Sequence, residues 1–462
     1  MEYSVEILGL LKKCSVKIGD RAVVNSGKKE YKGIIMPNTG DSGCLVLKLD
    51  NGYNLGIELD SKAEIKKTKE EGAVMKKCKR EKLQHDPSKP TIAILHTGGT
   101  IASRVDYRTG GVTPVFDAED LVSMVPELAD VANIRCRLIF QMWSEDMEPE
   151  HWQIIAKEIV KEIEEGCDGI IITHGTDYMH YTAAALAFMA RNLPIPVILT
   201  GSQRSSDRGS SDAAMNLICA ANFIANSDFS GIAICMHGSS SDAYCNILPA
   251  CKTRKMHTSR RDAFKPINTK PIARVDYKTG RIEFCENSTF FSGKNYNEKD
   301  FKRIPVLEIG YNKKVALIKS YPGMAADQLD WYMNNCDGVV FEGGGIAGNL
   351  AINVLDDLTK HHALMLKKLK DMTSKGIVVY MTSQCIYGRV NMNVYTTGRD
   401  MQSVGCMPAY MIPEVALVKL GWVLGRFKNS AGNKEKIDEL MQKNIAGEII
   451  SRSELDEFSD EI

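Results

Sequence analysis

From Thr91 onward the chain repeats one pattern: a short apolar run stops abruptly at a glycine or a small hydroxyl residue, and a helix-length stretch follows. The runs are "TIAILHT", "IRCRLIF", "DGIIITHG", "PVILTGS" and "GIAICMHG". Between them lie helical segments such as "MEPEHWQIIAKEIVKEIEEG", with Pro149 in its first turn, and "SDAAMNLICAANFIAN". A further helix is expected over 117–125. Strands that are apolar along their whole length are covered on both faces, so the pattern predicts a parallel sheet between two layers of helices. Sheets of this kind take their ligands at the carboxyl ends of the strands. A second set of runs, "VALIKS", "DGVVFEG" and "GIVVYMTS", begins near Val315, with helices expected over 325–335, 349–374 and 413–424.

The segment in front has a different texture. "RAVV", "YKGIIMP", "CLVLKL" and "YNLGIEL" are β-prone runs separated by turn clusters such as "NTGDSG" and "DNG". They predict a compact SH3-like β-barrel. The mixed-charge run over 62–90 reads as a solvated connector. The fold class is therefore α/β, a two-lobed parallel-sheet body preceded by a small barrel. Its divisions are 1–75 for the barrel, 76–90 for the linker and 91–290 for the larger lobe. After a hairpin-like "ARVDYKTGRIEF" come a connector over 291–310, the smaller lobe over 311–430 and a helical tail over 431–462.

Charge narrows the partners. Lys plus Arg and Asp plus Glu are 58 each, so the chain has no surplus of positive charge with which to wrap nucleic acid by itself. A nucleic acid held by another subunit remains compatible. The thirteen cysteines include no Cys-x-x-Cys pair, and Cys219 and Cys235 sit inside apolar runs. They read as reduced core thiols rather than disulfides or metal ligands. No apolar stretch reaches bilayer length, and the N-terminus lacks the pattern of a secretory leader. A cytoplasmic protein with no membrane contact is expected.

Chemistry gathers at the strand ends. The first run leads into Thr97-Gly98-Gly99-Thr100. No Lys-Ser/Thr follows this turn and no G-x-G-x-x-G spacing occurs in it, so it is not built for phosphate. The third run leads into Thr173-His174-Gly175-Thr176-Asp177, the fourth into a loop with Ser202, Arg204 and Asp212, and a later polar loop carries Lys255. Brought together, these supply a threonine hydroxyl, an amine to take its proton and a carboxylate to hold the amine. Glycines beside the hydroxyl let backbone N–H groups reach a substrate carbonyl. That set suits acyl transfer from an amide, and histidine is not required. Each element has an ordinary alternative: the glycine turn or Asp177 as a helix cap, Lys255 as a solvated charge among Lys252, Arg254, Arg260 and Arg261. His174 is assigned no role.

The combination "TGGTIAS" and "THGTDYMHYTA" resembles the two signature segments of the L-asparaginase family, and the similarity runs from Thr91 to Leu424 through "TGSQRSS", "KMHTSRRDAF", "DGVVFEGGGIAGN" and "MTSQCIYGRVNMNVY". The resemblance implies that Thr100 is the nucleophile and that Thr176, Asp177 and Lys255 form a second catalytic group. Ser144 and Glu145, in "WSEDME", then match the loop that binds the substrate's α-carboxylate and α-amino groups, with Gly99 and Gly175 beside them. Where the family often has Ser-Gln-Asp, this chain has Ser144-Glu145-Asp146. The family's lid tyrosine falls on Val112 when "GGVTP" is aligned, with Tyr107 as the alternative. The resemblance also implies a homodimer, with the second-lobe loop over 384–393 close to the site.

A free-standing asparaginase needs no leading barrel. The whole layout, with "SQCIYGRVNMNVYTTGRDM" and "MIPEVALVKLGWVLG", looks like the D subunit branch of archaeal glutamyl-tRNA(Gln) amidotransferases. That resemblance implies hydrolysis of L-glutamine to supply ammonia to a partner, the E subunit. The partner would bind most of the tRNA(Gln) and use ATP and Mg2+ to activate Glu-tRNA(Gln). No cofactor is implied for this chain. A cytoplasmic L-asparaginase with an accessory domain is the alternative.

Overall fold

The computed structural model describes residues 3–27, 29–37, 44–49, 54–60, 63–68, 85–99, 101, 103–105, 112–114, 125–204, 210–285, 297–427 and 431–452. The expected helix over 117–125 falls almost entirely outside them. A short helix, Glu127–Val131, follows immediately.

The leading domain is a five-stranded antiparallel sheet. Arg21–Ser26, Lys29–Ile35, Cys44–Leu49 and Asn54–Glu58 pair in succession, and Glu64–Lys67 returns to pair with the first. Ser26 and Gly27 then meet the far strand's end through Glu58 and Asp60, rolling the sheet into a small barrel. Two features depart from expectation. Glu64–Lys67 is a strand within the run read as connector, because Ile65 is buried in the barrel core. A helix, Val5–Lys13, capped by Ser4, precedes the barrel and buries Ile7 and Leu11 against it. Its "ILGLL" is too short an apolar run to announce an amphipathic helix by itself.

The body's main sheet orders its first five strands as Asn133–Met142, Thr91–Gly98, Gly169–Thr173, Pro196–Thr200 and Phe229–His237, all parallel. Beyond them the sheet is not parallel as expected. Tyr244–Pro249, Ala273–Asp276 and Ile282–Phe284 continue it antiparallel, because no crossover helix joins them: two connections are short, and the third, between Pro249 and Ala273, carries the hairpin of Thr253–Lys255 and Phe264–Pro266. The central strands are apolar throughout and fully buried, which two covered faces require. Helices Pro149–Glu164 and Met179–Met189 cover one face, and Ala213–Asn226 with Glu127–Val131 covers the other.

This strand order has one reversal, between Thr91–Gly98 and Gly169–Thr173. Connections there leave in opposite directions and open a crevice at the carboxyl ends. The two threonine loops follow these two strands.

The smaller lobe is a parallel sheet of Val315–Lys319, Gly338–Gly343, Val378–Ser383 and Met407–Pro408. The helix expected over 349–374 begins only at His362, since Asp356 and Thr359 cap a separate 3-10 turn at Asp357–Thr359. Helix Pro413–Leu424 lies against Met179–Met189 of the larger lobe, with Phe188 and Trp422 stacked at 5.6 Å, so the two lobes share one apolar core. In the tail, Lys434–Gln442 is helical. There the Lys419 ammonium meets Glu448 at 2.6 Å, and neither side chain has any exposed surface.

Candidate active site

Four loops meet backbone to backbone at the crevice. Gly98 and Gly99 have φ of +123° and +79°, values that side chains rarely tolerate. A Cβ on Gly98 would lie 2.1 Å from the Met142 carbonyl oxygen, and one on Gly99 would lie 2.8 Å from the Gly175 nitrogen. Gly175 in turn leaves only 3.0 Å to Ser144. Gly201, in the loop after Pro196–Thr200, packs against the backbone of His174 and the methyl of Thr176. The sheet thus brings Gly99, Gly175, Ser144 and Thr176 into one place.

Lys255 completes the group from the opposite side. It ends the short strand Thr253–Lys255, paired with Phe264–Pro266 in a hairpin. Its Nζ donates to Thr176 Oγ1 at 2.9 Å and to Asp177 Oδ1 at 2.7 Å. The lysine side chain is 8% exposed, whereas Asp177 is 64% exposed. An amine enclosed between a hydroxyl and a carboxylate is positioned to exchange a proton with the hydroxyl. Thr100 and Tyr107 lie outside the described residues. Val112 begins a strand, Val112–Pro114, that pairs with Ser103–Val105.

Ser144 is buried and donates to Glu145 at 3.3 Å, and Glu145 lines the open cleft shared by Asp177 and Lys255. Asp212 plays a different part from these. Its buried carboxylate accepts from the backbone N–H groups of Gln203 and Arg204 and from the Asn216 amide, so it holds the loop at 201–204 in place. The second-lobe Gln384 bonds the backbone of Ser320 and Glu342 within its own lobe.

His96, His174 and His180 are buried and held in the neutral form. His174 bonds the Gly175 carbonyl and Thr182, whose hydroxyl also receives the Trp152 indole N–H at 3.0 Å. Burial lowers His96 and His174 to about 4 and His180 to about 3. Among the described residues, no group of three His, Cys, Asp or Glu side chains could hold a metal ion.

Two cleft residues were not legible in the sequence. Arg254 looks like one more charge in a polar run, and Glu414 like an ordinary first-turn acid of a helix. Across the lobe boundary they form an ion pair, Arg254 Nε to Glu414 Oε1, at 3.1 Å.

Comparison with known proteins places these features in a wider set. Residues 91–289 match the family profile "Asparaginase, N-terminal", 314–441 match "Glutaminase/Asparaginase C-terminal domain", and 16–68 match "GatD N-terminal domain". The chain is 44% identical over 447 residues to the D subunit of glutamyl-tRNA(Gln) amidotransferase from Pyrococcus furiosus, covering 95% of this chain and 96% of that one. It is 42% identical to the Methanopyrus kandleri protein of the same description, covering 97% and 95%. The thermostable L-asparaginase from Thermococcus kodakarensis superposes with a TM-score of 0.66 at 32% identity, over 78% of this chain and 99% of that one.

Proposed function

Because this chain belongs to the family of glutamyl-tRNA(Gln) amidotransferase D subunits, we propose that it is the glutaminase of such a complex, releasing ammonia from L-glutamine for a partner subunit. The observation that carries the chemistry is the Lys255 amine, enclosed and bonded at once to Thr176 and Asp177. The match at 16–68 and the similarity along nearly the whole chain favour this role over that of a free-standing asparaginase.

In this proposal the Thr100 oxygen attacks the glutamine side-chain carbonyl, while backbone N–H groups of the glycine turns stabilise the oxyanion. The C–N bond breaks and the nitrogen leaves as ammonia, taking a proton passed along Lys255 and Thr176. Water then cleaves the acyl-threonine ester to give glutamate and restore the hydroxyl. Ser144 and Glu145 receive the α-substituents, and the extra carboxylate of Glu145 suits the ammonium. The chain uses no cofactor for these steps.

The partner, the E subunit, would hold most of the tRNA(Gln) and consume ATP and Mg2+ in activating Glu-tRNA(Gln). Ammonia protonates in bulk water and loses its nucleophilicity, which is a physical reason for the two reactions to share one assembly. The zero net charge supports a chain that leaves the tRNA to its partner. A homodimer is supported by the second lobe's exposed apolar turn, where Leu355 and Leu358 are 81% and 82% exposed. A cytoplasmic setting accords with tRNA chemistry, and among the described residues no helix is long and apolar enough to cross a membrane.

The test is to assay glutamine and asparagine hydrolysis with and without the partner and glutamylated tRNA. Glutamine turnover that rises with the complete complex is expected. Full-rate asparagine hydrolysis by the chain alone, with no response to the partner, would reject the proposal.

A further inference from the structure

Helix Pro413–Leu424 belongs to the smaller lobe, yet its first turn reaches the cleft of the larger one. Glu414, in that first turn, is 4% exposed, and its Oε1 lies 3.1 Å from Arg254 Nε in an ion pair. Arg254 immediately precedes Lys255 in the strand Thr253–Lys255. Consecutive strand side chains leave on opposite faces, so fixing Arg254 on one face sets the aim of its neighbour on the other. The strand is only three residues long. The strand is also held by the hairpin with Phe264–Pro266 and by the bond from Thr253 Oγ1 to the Pro249 carbonyl at 2.6 Å.

We infer that Glu414 is a positioning residue for amide cleavage: through Arg254 it holds the lysine strand so that the Lys255 amine stays between Thr176 and Asp177. The inference rests on the glutaminase role proposed above for its kinetic readout, though not for its geometry.

A carboxylate that served only to pack the lobes together would be a poor choice here. Burial is the largest influence on Glu414 and pushes its carboxyl up, against the pull of Arg254. Its second oxygen, Oε2, is buried with no hydrogen-bond partner among the described residues. An apolar pair of similar volume would avoid both costs and pack as well or better. The acid also lines the cleft that contains Lys255 and Asp177. What the charged pair adds over an apolar one is an attraction at a defined place, an ionic contact with the residue beside the catalytic amine.

The experiment uses the full chain with its partner. Glu414→Ala is expected to lower kcat for glutamine about 100-fold, the scale of an ångström-level misplacement, with KM within about threefold. Glu414→Gln keeps an oxygen for Arg254 and should restore kcat to within about fivefold of the native value. If the alanine variant does not fold, the double variant Glu414→Leu/Arg254→Leu fills the site without an unpaired charge and should show the same loss of kcat. Native kcat in either of these variants, or a glutamine variant as impaired as the alanine one, would overturn the assignment. A crystal structure of the alanine or double variant gives a readout independent of turnover. Lys255 Nζ displaced beyond bonding reach of Thr176 supports the assignment, and Lys255 in its native place rejects it. If the native protein fails to hydrolyse glutamine, the functional proposal fails on its own, and the position of Lys255 still decides the role of Glu414.

Discussion

Removing the Lys255 amine while keeping its length, as in Lys255→Met, takes away the group that bridges Thr176 and Asp177. Loss of a positioned acid–base group should lower kcat by about 10²–10⁴-fold, with unfolding unchanged by circular dichroism. Normal turnover with altered salt sensitivity would mark Lys255 as a surface charge instead. Thr100→Val, which loses a hydroxyl with little change of volume, should abolish glutaminase activity in the same assay and leave the fold intact. The buried histidines make a separate prediction. The folded pKa of His174 is about 4, against an ordinary 6.5, so between those values the unfolded chain binds more protons than the folded one. Stability from this burial is therefore fully present above pH 6.5 and is lost as the pH falls towards 4. Each such ring gives up on the order of 3 kcal/mol across that window. Denaturant titrations at pH 7 and pH 5 will show it, and equal midpoints would contradict it. At this scale, Thr176, Asp177 and Lys255 could be read from the order of their motifs. Arg254 and Glu414 could not, because only contact between the lobes separates them from ordinary surface charges.

Among the elements, the strands were the easiest to foresee, since five consecutive apolar β-prone residues in a large α/β chain have few other solutions. Their ends matter most for the site. Gly98 sits where its strand shifts register against Asn133–Met142, with the Met142 carbonyl against it. Gly98→Ala would combine a strained backbone, about 1–3 kcal/mol, with a steric clash, and should lower the unfolding midpoint and activity together. A native midpoint would show that the turn can relax. The helices were harder. Apolar periodicity in "LAINVLDDL" suggests a helix from 349, but Val354, Leu355 and Leu358 point outward and a capped turn intervenes. Periodicity records which residues avoid water, not whether the face they share lies inside this chain or on its surface. At the antiparallel edge of the main sheet, the hairpin in "ARVDYKTGRIEF" was legible from its turn, but its joining to the sheet through Tyr244–Pro249 was not, because strand direction is set by the connections rather than by the strands' own residues.

In the molecule as a whole, those outward leucines become a test of assembly. If the proposed homodimer uses this face, Leu355→Glu combined with Leu358→Glu should shift the sedimenting species to the monomer and leave the unfolding midpoint nearly unchanged. A mass that does not change would move the dimer contact elsewhere. The resemblance implied a homodimer but not its face, because apolar periodicity does not tell a residue buried inside the chain from one held outward on its surface. The division into lobes was visible in the sequence, but their fusion through Trp422 and Phe188 into one interior was not. The Lys419–Glu448 pair gives that fusion a practical edge. Trimming the chain at any point before residue 448 would leave an ammonium without its counter-ion inside the helix that also carries Glu414. A shortened version made for crystallisation or engineering would then damage the cleft from the opposite end of the polypeptide, and its inactivity could be mistaken for a fault in the active-site loops.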